Sequence, residues 1–247
     1  MRSRSIREFG PALRGVMHLG LSLMVLLGVA ERALAELSVI NGPNGYVYAL
    51  ASQVTYVGGD FNGWNSISTG GGAAFDATTA EVNRAFPYVN GDVYASAPDG
   101  AGGWYIGGSF YAVGGVPRNN LAHIDASGVV TAWNPDANAA IVALTFSGGV
   151  VYAGGDFVTV GGQTRSSIAA LDAVSGAATA WNPAANGRVN AITVAGSTVY
   201  AGGYFTGIGG QTRNRIAALD GASGNATGWD PNPDSGVFAI VTSGSTV

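Results

Sequence analysis

Apolar and polar residues alternate in short runs through most of the chain. Val189-Asn190-Ala191-Ile192-Thr193-Val194 is one run, and Gly196-Ser197 turns it into a second, Val199 to Phe205. A longer stretch through Gly209-Gly210 leads to Ile216 to Asp220, and Ser223-Gly224 turns the chain into Ala226 to Trp229. These runs are 4 to 7 residues long. They are too short for helices and are bounded by turn formers, so they predict four β-strands. No long helical period appears after residue 35.

This four-strand pattern is periodic. An aromatic, one apolar residue and a Gly-Gly pair recur at Tyr56, Tyr105, Tyr152 and Tyr200, spaced 49, 47 and 48 residues apart. Residues 152–199 and 200–247 match at 28 of 48 positions without a gap. Arg118, Arg165 and Arg213 keep the same phase, as do Asp125, Asp172 and Asp220, and Trp133, Trp181 and Trp229. Four short antiparallel strands every 40 to 50 residues are the signature of β-propeller blades. The expected fold is therefore all-β. It has four-stranded antiparallel blades at about residues 44–87, 88–135, 138–183 and 186–231, and the start of a fifth at 235–247.

A residue repeated in every blade has a job in every blade. Gly-Gly lets strands approach where a Cβ would clash. Tyr152 and Trp181 offer large surfaces to fill the gap between neighbouring blades, each with a polar tip needing a partner. Ala-Leu-Asp before Ser-Gly is a strand closing in a turn with an acceptor side chain. The fork of donors on each repeated Arg suits bridging between blades. Asn182-Pro183 ends the outer strand, because proline cannot donate to the ladder.

Upstream of the repeats lies a different pattern. Arg2, Arg4, Arg7 and Arg14 precede a 12-residue apolar run from Leu19 to Ala30, followed by Ala33-Leu34-Ala35. This reads as a signal peptide, residues 1–35, cleaved before Glu36. The run is shorter than the roughly 20 residues that span a bilayer. Residues 36–43 form a short lead-in. The expected location is secreted or at the cell surface, or periplasmic in a two-membrane bacterium.

Charge and composition narrow the partners. Five of the 11 basic and two of the 15 acidic residues lie in the leader, leaving 6 Arg against 13 Asp and Glu, a net −7. Nucleic-acid binding needs a basic surface, so that class is excluded. Zero Cys removes disulfides and thiolate chemistry. One histidine, His123, remains beyond the leader; with no triad member beside it in sequence, it reads as a strand residue.

Val151-Tyr152-Ala153-Gly154-Gly155-Asp156-Phe157, Gly161-Gly162-Gln163-Thr164-Arg165, Ile168-Ala169-Ala170-Leu171-Asp172 and Trp181-Asn182-Pro183 resemble the bacterial delta-60-type propeller repeat. That family is similar in blade pattern to kelch and quinoprotein propellers. The resemblance covers about residues 44–247, and the first blade lacks the Arg and the Trp-Asn-Pro. It implies an extracellular or surface propeller, and it carries no catalytic residues across.

Candidate chemistry is sparse. Gly59-Asp60-Phe61-Asn62-Gly63-Trp64-Asn65 looks like a starch-binding motif, yet Tyr56 to Phe61 is in phase with the other blades. Asp230, Asn232, Asp234 and Gly236 imitate a calcium loop, but the glycine is one place late and no bidentate acid follows. No catalytic, cofactor or metal site is assigned. The expected role is an exported, non-enzymatic binding or scaffold module for a protein or carbohydrate ligand. Two alternatives stand beside it: a carbohydrate-binding module using Trp64, and the propeller part of a larger secreted enzyme. The long loops at 62–70, 111–119, 158–166 and 206–214 are expected to share one face, with Trp64, Tyr111 and Arg215 as ligand-binding candidates. The blades are expected to form an open arc, an incomplete ring of four.

Overall fold

The first three alternating runs of each repeat fold as strands, and turns such as Gly196-Ser197 close antiparallel pairs. The computed structural model describes residues 47–51, 55–61, 63–64, 67–76, 79, 81–243 and 246–247, with backbone alone for 47–51, 55–56, 63–64 and 67. The expected leader and lead-in lie outside the described residues.

The first blade comprises β1 (Val47–Ala51), β2 (Thr55–Gly59), the two-residue strands β3 (Gly63–Trp64) and β4 (Ile67–Ser68), and β5 (Gly70–Phe75). The second comprises β6 (Val89–Pro98), β7 (Trp104–Val113), β8 (Val116–Pro117) and β9 (Leu121–Ile124). The third holds β10 (Ile141–Ser147), β11 (Val150–Gly155), β12 (Thr159–Val160), β13 (Gln163–Thr164) and β14 (Ile168–Asp172). The fourth repeats this with β15 (Val189–Ala195), β16 (Thr198–Gly203), β17 (Gly207–Ile208), β18 (Gln211–Thr212) and β19 (Ile216–Asp220). No helix occurs among the described residues.

Within a blade the order is first, second, third strand, all antiparallel: β10-β11-β14 and β15-β16-β19, for example. A bulge recurs at one register, between Val47 and Ala49, Ile141 and Ala143, and Val189 and Ala191. Such a bulge bends the innermost strand and increases its twist. The first two blades are also joined by a short parallel contact, Gly70 opposite Val89 and Gly71 opposite Asp92.

The fourth strand is shorter than the pattern predicted. It is reduced to one bridge per blade, such as Leu171 with Ala178 and Leu219 with Ala226. Part of its bonding goes elsewhere in the three later blades. Thr131, Thr179 and Thr227 give their carbonyls to the guanidinium groups of Arg118, Arg165 and Arg213.

The core lies between blades, with no single centre. Tyr152, Ile168 and Trp181 of the third blade pack with Val189, Ile192 and Phe205 of the fourth. Tyr105, Leu121 and Trp133 of the second pack the same way with Ile141, Phe157 and Leu171 of the third. Gly154 permits this approach: a Cβ there would sit 2.9 Å from Val189 Cγ1 and 3.0 Å from Val189 O. Burying each Ile or Leu contributes about 1.5–3 kcal/mol. The innermost strands β1, β6, β10 and β15 neighbour one another in sequence order, forming an arc.

Candidate functional site

Because successive strands alternate direction, the loops between second and third strands must share a face with the connectors that follow each Trp-Asn/Asp-Pro. Hydrogen bonds place them together. Asn138 Oδ1, at the end of the connector, accepts from the N–H groups of Val158 (2.9 Å) and Thr159 (3.0 Å) of the blade the connector enters. Asn186 Oδ1 does the same for Thr206 (2.8 Å) and Gly207 (2.9 Å). Pro135 O and Pro183 O each accept a 2.7 Å bond from Gly161 and Gly209 N–H. This interlock stiffens the long-loop face across blades.

The loops themselves are more ordered than the pattern suggested. Gly161-Gly162 and Gly209-Gly210 turn two-residue hairpins, β12–β13 and β17–β18, with φ near +60° then +75°. That geometry is a type I′ turn, and the Gly-Gly pair between Val160 and Gln163 was its signal.

The repeated arginines work inside a blade, contrary to the bridging between blades expected from their chemistry. Arg165 Nη1 donates to Thr164 O (2.8 Å) and Nη2 to Thr179 O (2.7 Å), tying the long loop to the outer strand of its own blade. The bond across the junction comes instead from the tryptophan, whose indole N–H reaches the next blade. Arg165→Ala is expected to lower stability by about 1–3 kcal/mol, because it strands a partly buried acceptor. Urea midpoints at constant m-value would read this out.

The repeated aspartates are turn caps. Asp172 Oδ1 accepts from Ser175 Oγ and Ser175 N–H, both 2.7 Å, and Asp220 and Ser223 repeat this. The serine hydroxyl first, and backbone N–H groups after it, hold Asp125, Asp172 and Asp220 below the ordinary 3.8. A depressed folded pKa adds stability above the ordinary pKa and loses it as pH falls through the folded value. The urea midpoint is therefore expected to hold down to about pH 5 and fall below about pH 4. Asp172→Asn should flatten that fall.

Two of the repeated tryptophans find the partner their polar tips required. Trp133 Nε1 donates to Asp172 O and Trp181 Nε1 to Asp220 O, each 3.0 Å and each into the next blade.

His123 is a residue of strand β9, as expected, and it has partners that sequence proximity did not show. Its Nε2 lies 3.0 Å from Asp99 Oδ2 and its Nδ1 3.2 Å from Thr131 Oγ1, while its ring stacks on Tyr105 at 4.4 Å. Burial opposes the charge of Asp99, but the Ala101 N–H, His123 and the Gly103 N–H outweigh it, so this carboxyl also titrates low. Ala170 and Ala218 stand at the His123 position of the next two blades, facing Tyr152 and Tyr200 as His123 faces Tyr105. Thr131 meanwhile accepts the Trp133 N–H, as Thr179 and Thr227 do for Trp181 and Trp229. The cluster ties one turn and two strands of the second blade together.

The ligand candidates are spread along the long-loop face. Tyr111 is 66% exposed and its hydroxyl accepts from Asn90 Nδ2 at 3.3 Å. Arg215 sits at φ 66° and donates from Nη1 to Tyr204 O at 2.6 Å. They belong to the second and fourth blades, so the third stands between them. The side chain of Trp64 lies outside the described residues. The backbone register of Gly63–Trp64 matches Thr159–Val160 and Gly207–Ile208, where Val160 and Ile208 are buried. Residues that the pattern missed are Val158 and Tyr204, 53% and 49% exposed on this face. They differ from blade to blade, so periodicity could not mark them. Among the described residues no group of three His, Cys, Asp or Glu could hold a metal. Asp230 instead faces Arg213 at 3.6 Å, and Asn232 accepts from Asn214.

Comparison with known proteins agrees with the blades. The crystal structure of the computationally designed Ika4 protein is similar over 73% of this chain and 94% of that one, at 15% identity and a TM-score of 0.51. A chain of the mitotic checkpoint complex is similar over 79% of this chain and 55% of its own, at 16% identity and a TM-score of 0.50. The WD40 β-propeller domain of Doa1 matches over 76% and 69%, at 11% identity and a TM-score of 0.47. Among curated proteins no sequence matches. Likeness at these identities is one of fold alone. A family described as a β-propeller domain of unknown function, DUF5122, matches residues 102–130, and the chain is a β-propeller of short repeats.

Proposed function

We propose that this propeller is an exported, non-enzymatic binding or scaffold module that takes a protein partner on its long-loop face. One observation carries the reading. The repeated Arg, Asp and Trp are largely consumed by the scaffold, whereas the non-repeated Tyr111, Val158 and Tyr204 stand 66%, 53% and 49% exposed on an interlocked face. Exposed aromatics on a rigid platform suit protein contact. A similar fold within the mitotic checkpoint complex supports a scaffold role by analogy. Export rests on the Arg-rich leader and Ala33-Leu34-Ala35.

The test is site-specific photo-crosslinking in secreted protein from the source cells. A photoreactive residue at Tyr111 or Val158 is expected to capture a discrete partner. The same probe at Val174, 89% exposed on the short-turn face, is expected to capture none. Adducts from Val174 alone would refute the assignment of face. Retention on soluble glucans, abolished by Trp64→Ala, would favour the carbohydrate reading instead.

A further inference from the structure

The interface between blades is built from the same parts at each junction, and the fourth blade carries those parts facing outward. Trp181 donates its Nε1–H to Asp220 O of the next blade, Pro183 O accepts from Gly209, and Asn186 accepts two N–H groups. One repeat later stand Trp229, Pro231 and Asp234. Among the described residues the Trp229 indole N–H, the Pro231 carbonyl and the Asp234 carboxylate have no hydrogen-bond partner. Trp133 and Trp181 are 3% and 4% exposed, whereas Trp229 is only partly buried. Tyr105 and Tyr152 are 4% and 8% exposed, whereas Tyr200, edge-on to Trp229 at 5.4 Å, is again only partly buried.

One segment already lies on that face. Val237 and Ile240 lie over Gly202 as Val189 and Ile192 lie over Gly154. Val237 N–H donates to Gly203 O at 3.2 Å. The segment nevertheless makes no ladder, and Phe238 and Val241 are 59% and 45% exposed.

We infer that the outward face of the fourth blade is a docking surface for a further blade of this same repeat. Residues 237–243 already lie in the place of that blade's innermost strand, as Val189–Ala195 do for the fourth. The further blade's turn aspartate carbonyl accepts from Trp229, and the N–H groups of its long loop bind Asp234. Continuity with the junctions between the other blades decides for this occupant over a second copy. The first blade of a second copy would bring its own innermost strand, β1, to a place residues 237–241 already fill.

Two proteins test this: the chain, and the chain with residues 200–247 duplicated in tandem after Val247. In the chain, the Trp229 indole N–H is expected to exchange with solvent many-fold faster than that of Trp181. In the tandem protein, acrylamide quenching of Trp229, isolated by difference against Trp229→Phe, is expected to fall several-fold. Its melting temperature is expected to rise by about 5 °C or more. Unchanged quenching and melting would overturn the inference. So would a Trp229 N–H as protected as that of Trp181 in the chain alone, a readout that survives if the tandem protein fails to fold. A concentration-dependent dimer of the chain with Trp229 shielded would assign the face to a second copy.

Discussion

Trp181→Ala is expected to cost about 3–5 kcal/mol of stability, the range for deleting a large buried aromatic. Trp181 is 4% exposed, meets Tyr152 edge-on at 5.3 Å, and gives its indole N–H to Asp220 O across the junction. Trp181→Phe keeps most of the ring and removes the donor, so it is expected to cost only about 1 kcal/mol for the bond plus whatever packing is lost. Trp229→Ala is the internal control. It removes the same side chain at the same register, but from a surface only partly covered. Urea denaturation of the three variants checks this. Equal losses at Trp181 and Trp229 would show that burial by the next blade is not the source of the stability.

Gly155→Ala is expected to destabilise by about 3 kcal/mol, the upper end for overpacking. A Cβ there would lie 2.1 Å from Ala140 O and 3.1 Å from Ile141 Cα, backbone atoms at the start of the innermost strand. A side chain can swing away from such a clash. A bulged strand cannot move without breaking its register with β11. Gly148→Ala makes the comparison fair: its Cβ would meet nothing within 4 Å, and its φ of 58° leaves only a backbone strain of about 1 kcal/mol. If both variants melt alike, close approach is not what requires the second glycine of the doublet.

Much of the scaffold could be read from periodicity. A repeat that stacks on copies of itself places the same demand on the same residue in each copy. Tyr-Ala-Gly-Gly, Ala-Leu-Asp-x-x-Ser and Trp-Asn-Pro therefore announced strand crossing, turn cap and junction filler. What differs from blade to blade was hidden for the same reason. His123 and Asp99 are 24 residues apart and meet only because a turn and a third strand lie side by side. Val158 and Tyr204 became candidates only once their exposure was seen.

Other features had no local signal. Ser167, Ala184 and Arg215 adopt φ of 61°, 47° and 66°, a region their side chains disfavour. Asn120, in the register of Ser167 and Arg215, is better suited to it. The interlock of loop and connector imposes that backbone, through bonds such as Ala185 N–H to Ser166 O.

The all-β repeat, its phase of 47 to 49 residues, and the tryptophan and glycine-doublet positions at the junctions were all legible in the sequence. Alternation and turn chemistry are local, and repetition makes them unambiguous. Which carbonyl each arginine takes, how short the outer strand is, and which side chains face outward were set by packing. Those outcomes depend on distances between segments that only packing sets. Arg165 reaches Thr179, 14 residues on, because a hairpin brings its loop back over the outer strand.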